Sequence, residues 1–168
     1  MSSRAWTDHA PKAALAAIAL GLLLLGSTTA GTASTRVPVC SPAVRKGALP
    51  VWARGGFHPP TQRIPHVLGR SGAIVAILFA YPLEAPPPVT HNNKILWVSR
   101  VPVDVLTSLR ISAQRMARAR PVGKPVQRVV RGGPGPSIIN LPTPGCWRLS
   151  LRWADRSDSL DLQYRQRR

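Results

Sequence analysis

The chain has 168 residues and a formal net charge of +17, from 23 Lys and Arg against 6 Asp and Glu. That length suits one domain around one core, and so few carboxylates argue against a catalyst built on a carboxylate pair. A charge of this size bears on solubility and on anionic partners, not on fold.

The N-terminal segment carries an address. Arg4 and Lys12 flank a polar start, Ala13 to Gly26 (AALAAIALGLLLLG) is an unbroken apolar run, and Ser27 to Ser34 is small and polar. A basic end, a short apolar core and small residues for a peptidase make residues 1–33 a secretory signal, cut after Ala33 or Ala30. A bilayer span needs roughly 20 apolar residues. Residues 13–33 reach that length only by counting Ser, Thr and Gly, so an uncleaved membrane anchor is the alternative. The chain is therefore expected outside the cytoplasm, either extracellular or at the cell envelope. Removing residues 1–33 takes away Arg4, Lys12 and Asp8, and the remainder keeps a charge of about +16.

Cys40 and Cys146 stand near opposite ends of that remainder. In an oxidising compartment an isolated pair reads first as a disulfide. Two free buried thiols or a metal site are the alternatives. The absence of CxxC spacing and of a nearby His pair disfavours the metal.

Residues 34–48 are expected to be extended, with a single domain over residues 49–168. Leu49 to Ala53 (LPVWA) is a short strand candidate, and Gly55 to Pro60 is loop chemistry. Ala73 to Tyr81 (AIVAILFAY) is rich in Ile, Val and aromatics and is bounded by Gly72 and Pro82, which predicts a fully buried strand. Lys94 to Val101 (KILWVSRV) predicts the next strand, with Trp97 in the core. Over Leu106 to Met116 both strand alternation and a helix N-capped by Asp104 fit. The strand is preferred because its neighbours are strands. Val126 to Arg131 predicts another strand, after a turn at Pro121 to Pro125.

The C-terminus reads most clearly. Trp147, Leu149, Leu151 and Trp153 alternate with Arg148, Ser150 and Arg152; beyond a polar turn, Leu160, Leu162 and Tyr164 alternate with Asp161 and Gln163. This predicts an antiparallel hairpin with one buried face. Arg148, Arg152 and Asp161 are expected in solvent, with Asp161 opposite Arg152 in one permitted register.

Six or seven short strands with no firm helix read as an all-β, antiparallel β-sandwich. Gly135-Pro136-Ser137-Ile138-Ile139, followed by Leu141 to Trp153 with its Pro-Gly turn and aromatic strand start, resembles the last strands of immunoglobulin-like sandwiches. The chain after the signal also resembles uncharacterised exported proteins of high-GC bacteria. That resemblance implies an immunoglobulin-like domain and carries no functional residues with it. Cys40, near the start of the exported part, departs from the usual place of an inter-sheet cysteine.

Little in the sequence points to chemistry. His58, His66 and His91 match no metal or short HxH spacing and are expected as loop histidines facing water. There is no Gly-x-Ser-x-Gly elbow, and Arg131 to Ser137 is Gly-rich but lacks the Lys-Ser/Thr pair of a phosphate loop. Asp155, Asp158 and Asp161 are expected to pair with neighbouring arginines. Trp97, Trp147 and Trp153 read as core, whereas Trp52, beside Arg54 and Phe57, is the aromatic expected at the surface, and these three are the candidate ligand contacts. No catalytic residue, cofactor or metal site is assigned. The expected function is a non-catalytic binding or structural module at the cell envelope. Anionic envelope polymers or lipid head groups are its expected partners. Nucleic acid is not, because no aromatics interleave the dense basic stretch Arg110 to Arg131. The alternative is an extracytoplasmic hydrolase on the His58, His66 and Asp104 loops.

Overall fold

A computed structural model describes residues 40, 43–59, 62–104 and 106–167. The signal segment 1–33, its cleavage points and the anchor alternative lie outside the described residues. Among the described residues no helix is long and apolar enough to cross a membrane. The described residues form ten strands in chain order: β1 (Arg45–Gly47), β2 (Ile64–Leu68), β3 (Ile74–Leu78), β4 (Leu83–Ala85), β5 (Lys94–Ser99), β6 (Leu109–Ala117), β7 (Arg120–Val130), β8 (Pro136–Ile138), β9 (Gly145–Trp153) and β10 (Arg156–Gln166). They form two five-stranded sheets, ordered β1-β2-β3-β5-β8 and β4-β10-β9-β6-β7. The pairings are antiparallel except for β4 with β10, which is parallel.

The sheets face each other across one core. Val67, Ile74, Ala76, Leu78, Ile95 and Trp97 come from the first sheet, and Leu109, Ile111, Leu149, Leu151, Trp153 and Leu160 from the second. This is the expected β-sandwich. The indole N–H groups of the three tryptophans in the main core are served: Trp97 donates to Ser137 Oγ, Trp153 to Ser99 Oγ and Trp147 to the Thr143 carbonyl. Tyr164 is buried and donates to the Ile139 carbonyl at 2.6 Å. Burial raises its phenol pKa well above the ordinary value near 10. Below pH 10 the phenol is neutral in both folded and unfolded chains and its contribution is constant. Above pH 10 the unfolded chain releases the proton first, so stability falls as pH rises. Urea midpoints taken from pH 8 to pH 11 should fall at the alkaline end, and less so in Tyr164→Phe.

The run Ile74–Leu78 is buried along its whole length because both faces are covered. Ile74, Ala76 and Leu78 enter the main core, while Val75 and Ile77 form a second cluster with Leu49, Ala53 and Ile64. The segment over residues 49–57 lies on the outer face of the first sheet and makes that second cluster. It is a single 3-10 turn, Val51–Ala53, and not the expected strand. Arg54 Nε donates to the Leu49 carbonyl and closes the turn, so its backbone bonds stay local. The segment expected to be merely extended supplies β1.

Leu106 to Met116 resolves as strand from Leu109, with Leu109, Ile111 and Ala113 buried. Asp104 caps a loop instead of a helix, accepting from Leu106 N. The turn expected at Pro121 to Pro125 lies within β7. The chain reverses earlier, at Arg118 and Ala119, both with positive φ, because a two-residue hairpin turn matches the strand twist. Pro121 and Pro125 fit β7 because it is an edge strand.

The C-terminal hairpin forms as expected, with Trp147, Leu149, Leu151, Trp153, Leu160, Leu162 and Tyr164 all buried. Leu151→Ala should therefore cost about 3 kcal/mol in a denaturant melt. Arg152→Ala, one residue away on the opposite face, should cost well under about 1 kcal/mol. Two carboxylates depart from expectation. Asp161 is 4% exposed and stands opposite Arg148, not Arg152. Two guanidiniums cover it: Arg148 Nε reaches Oδ1 and Arg70 Nη2 reaches Oδ2, each at 3.0 Å. Asp158 shares the inward parity of Leu160 and is held by the backbone amides of Ser71, Ala73 and Ser159.

Cys40 and Cys146 form the expected disulfide, with Cα atoms 5.5 Å apart. It ties the N-terminal segment to β9. A structural disulfide points to an oxidising, extracytoplasmic setting.

Candidate functional site: a lysine–aromatic ledge

Strand alternation builds the site. Val75, Ile77 and Phe79 share the outer face of the first sheet, and Phe79 lies just past the end of β3. The covering segment reaches Val75 and Ile77 fully but leaves Phe79 51% exposed. Phe79 N donates to the Lys94 carbonyl, which places the first residue of β5 beside the ring. Lys94 Nζ then sits 5.5 Å from the Phe79 centroid. Across the next pairing Lys94 opposes Ile138 of β8, which is 53% exposed. Phe57 stacks on Phe79 from the covering segment, at 6.3 Å and 23°. A second cation lies over a second ring, Lys46 Nζ at 5.2 Å from Tyr81.

An open, shallow pocket of about 350 Å³ adjoins the ledge, lined by Phe79, Ala80, His91, Asn92, Lys94 and Ile138. Among the described residues no carboxylate pairs with Lys46 or Lys94. Each ammonium over an exposed ring gains about 0.5–1 kcal/mol, enough to hold its position while leaving its charge available. The arrangement can therefore take an anionic group at the ammoniums and an apolar group against Phe79 and Ile138.

The residues flagged by sequence divide. Phe57 joins the ledge. Trp52, expected at the surface, is half-buried, because it packs on the second cluster beside Leu96 and Val98. Arg54 is occupied in closing its turn. Phe79 and Tyr81 escaped notice because they ended a run read as wholly buried, and the surrender of sheet cover after Leu78 is a tertiary fact. The histidines also divide. His58 and His91 are exposed, but His66 is buried on β2 with Nδ1 bonded to the Ile64 carbonyl, not a loop histidine facing water. No hydrogen bond or ion pair joins His58, His66 and Asp104 among the described residues. Among the same residues no three His, Cys, Asp or Glu side chains are grouped to hold a metal ion. Comparison with protein-family models, curated proteins and solved structures finds no match to this chain.

Proposed function

We propose that this chain is an exported, non-catalytic binding module of immunoglobulin-like kind, working at the cell envelope and holding phosphate-bearing lipid head groups on the ledge. The observation that carries the reading is the pair of uncompensated ammoniums over exposed rings beside an open, partly apolar pocket. Head-group phosphate would meet Lys94 beside the pocket, with Lys46 over Tyr81 as a further cation on the same sheet, and the glycerol and first methylenes would lie against Phe79 and Ile138. The apolar leader supports export, and so does the disulfide. The immunoglobulin-like kinship draws support from two facing, mainly antiparallel sheets and from large tryptophans in the core.

Titration with short-chain phosphatidylglycerol tests the reading. Binding should move the NMR signals of Phe79, Lys94 and Ile138, and the ligand should be recovered intact. Lys94→Gln together with Lys46→Gln should weaken binding about tenfold, equivalent to about 1.4 kcal/mol. Unchanged affinity in that double variant would reject the ledge, and breakdown of the lipid would reject a non-catalytic role.

A further inference from the structure

The outer face of the second sheet has a different chemistry and lies on the other side of the sandwich. Its residues run in rows across the strands. Ser112, Ser150 and Ser159 oppose one another across β6, β9 and β10. In the next row Arg110 opposes Arg152, which opposes Ser157. In the row on the other side Gln114 opposes Arg148, which opposes Asp161.

The two arginine rows are treated differently. Arg148 has Asp161, shared with Arg70. Arg110 and Arg152 are both exposed, stand directly opposite each other, and have no carboxylate partner among the described residues. Directly opposed side chains start from Cβ atoms roughly 4.5–5.5 Å apart, where like charges destabilise a strand pair. The β6–β9 strand pair thus carries a local repulsion that an oxyanion between the guanidiniums would remove. Arginine suits this role, since its planar fork binds phosphate through two parallel hydrogen bonds. Serine hydroxyls of the adjoining row supply further donors.

We infer that the Arg110–Arg152 end of this face, with Ser112 and Ser150, is a docking surface for a linear anionic polymer of repeating phosphodiester groups. A polymer fits better than a bilayer because the rows around Arg110 and Arg152 carry Arg, Ser and Gln, with Val129 at the margin beside Arg110 and no aromatic ring to enter lipid. The inference goes beyond the ledge and does not depend on it, since Arg110 and Arg152 lie on the second sheet and the ledge on the first.

The test uses the whole protein with synthetic poly(glycerol phosphate). Arg152→Glu should weaken polymer binding at least about tenfold. It should also raise the urea midpoint, because an opposed like pair becomes an opposed unlike pair. That rise separates loss of the site from loss of the fold. Arg152→Gln should reduce the slope of log affinity against log salt by about one. The charge-matched control is Arg120→Glu, at an exposed position on β7, which should weaken binding less than about threefold. Equal losses in Arg152→Glu and Arg120→Glu would mean general charge attraction and overturn the assignment. So would a failure of the polymer to bind, or loss of phosphatidylglycerol-vesicle binding in Arg152→Glu with polymer binding intact.

Discussion

Removal of the Cys40–Cys146 disulfide should lower stability by about 4–5 kcal/mol, the chain-entropy value for closing a loop of this size. The two cysteines are 106 residues apart in sequence, so the cross-link restricts nearly the whole described chain when unfolded. In the folded state it anchors the segment that supplies β1 and lays Leu49 and Ala53 over Val75 and Ile77. β1 alone is three residues long and holds this segment weakly. Loss of the bridge should therefore loosen the second cluster before the main core. Urea melts of the protein with and without reductant, and of the double variant Cys40→Ala, Cys146→Ala, measure the effect. Hydrogen exchange should quicken first at Leu49 to Ala53. A midpoint unchanged by reduction would mean that the N-terminal segment is held by its apolar contacts alone. A stability near 5–15 kcal/mol makes the expected loss a large fraction of the total.

The second large effect lies at the other tie between the sheets. Asp158→Ala should cost about 5 kcal/mol, since hydrogen bonds to a charged group are worth about 1.5–3 kcal/mol each and three amides lose their acceptor, taken at the low end of that range. Two of them, Ser71 N and Ala73 N, lie in the loop joining β2 to β3, so a residue of the second sheet shapes a turn of the first. Gly69 makes room for this. A Cβ added there would fall within the Asp158 carboxylate, and both positions are buried. Gly69→Ala should thus destabilise by a similar amount, but much less in an Asp158→Ala background, because the clash partner is gone. A double-mutant cycle in urea checks this coupling. Additive losses would show that Gly69 matters for its backbone and not for the space it leaves.

Period-2 alternation over Trp147 to Tyr164 was legible at once, because one face had to be apolar throughout. Leu109 to Ala113 fitted strand and helix alike and was assigned from its strand neighbours, and the buried run of β3 was read from its unbroken apolar length between Gly72 and Pro82. Sequence reading failed at Leu49 to Ala53, where five apolar residues were too few to separate a strand from a turn that packs on a sheet. It also failed at Pro121 to Pro125, because proline is tolerated along an edge and only the sheet order reveals which strand is the edge. The candidate site was legible in one residue, Phe57, while Phe79, Lys94 and Ile138 are brought together from three separate segments and Lys46 is carried to Tyr81 from a fourth.

What the sequence determined by itself is the all-β class, the C-terminal hairpin and its buried face, the cysteine pair and the strongly basic charge. These depend on neighbours along the chain or on counting. The tertiary structure alone decided which carboxylates are buried, which arginines go unpaired and where an aromatic stays uncovered. Asp161 and Asp158 both lie on β10, yet one is clamped by arginines from two segments and the other by a loop of the opposite sheet. Arg152 and Arg148 are four residues apart on one strand and share a face, and only strand register gives one of them a carboxylate and the other a second arginine. Alternation tells which way a side chain points, but what it meets there is set by partners distant in sequence.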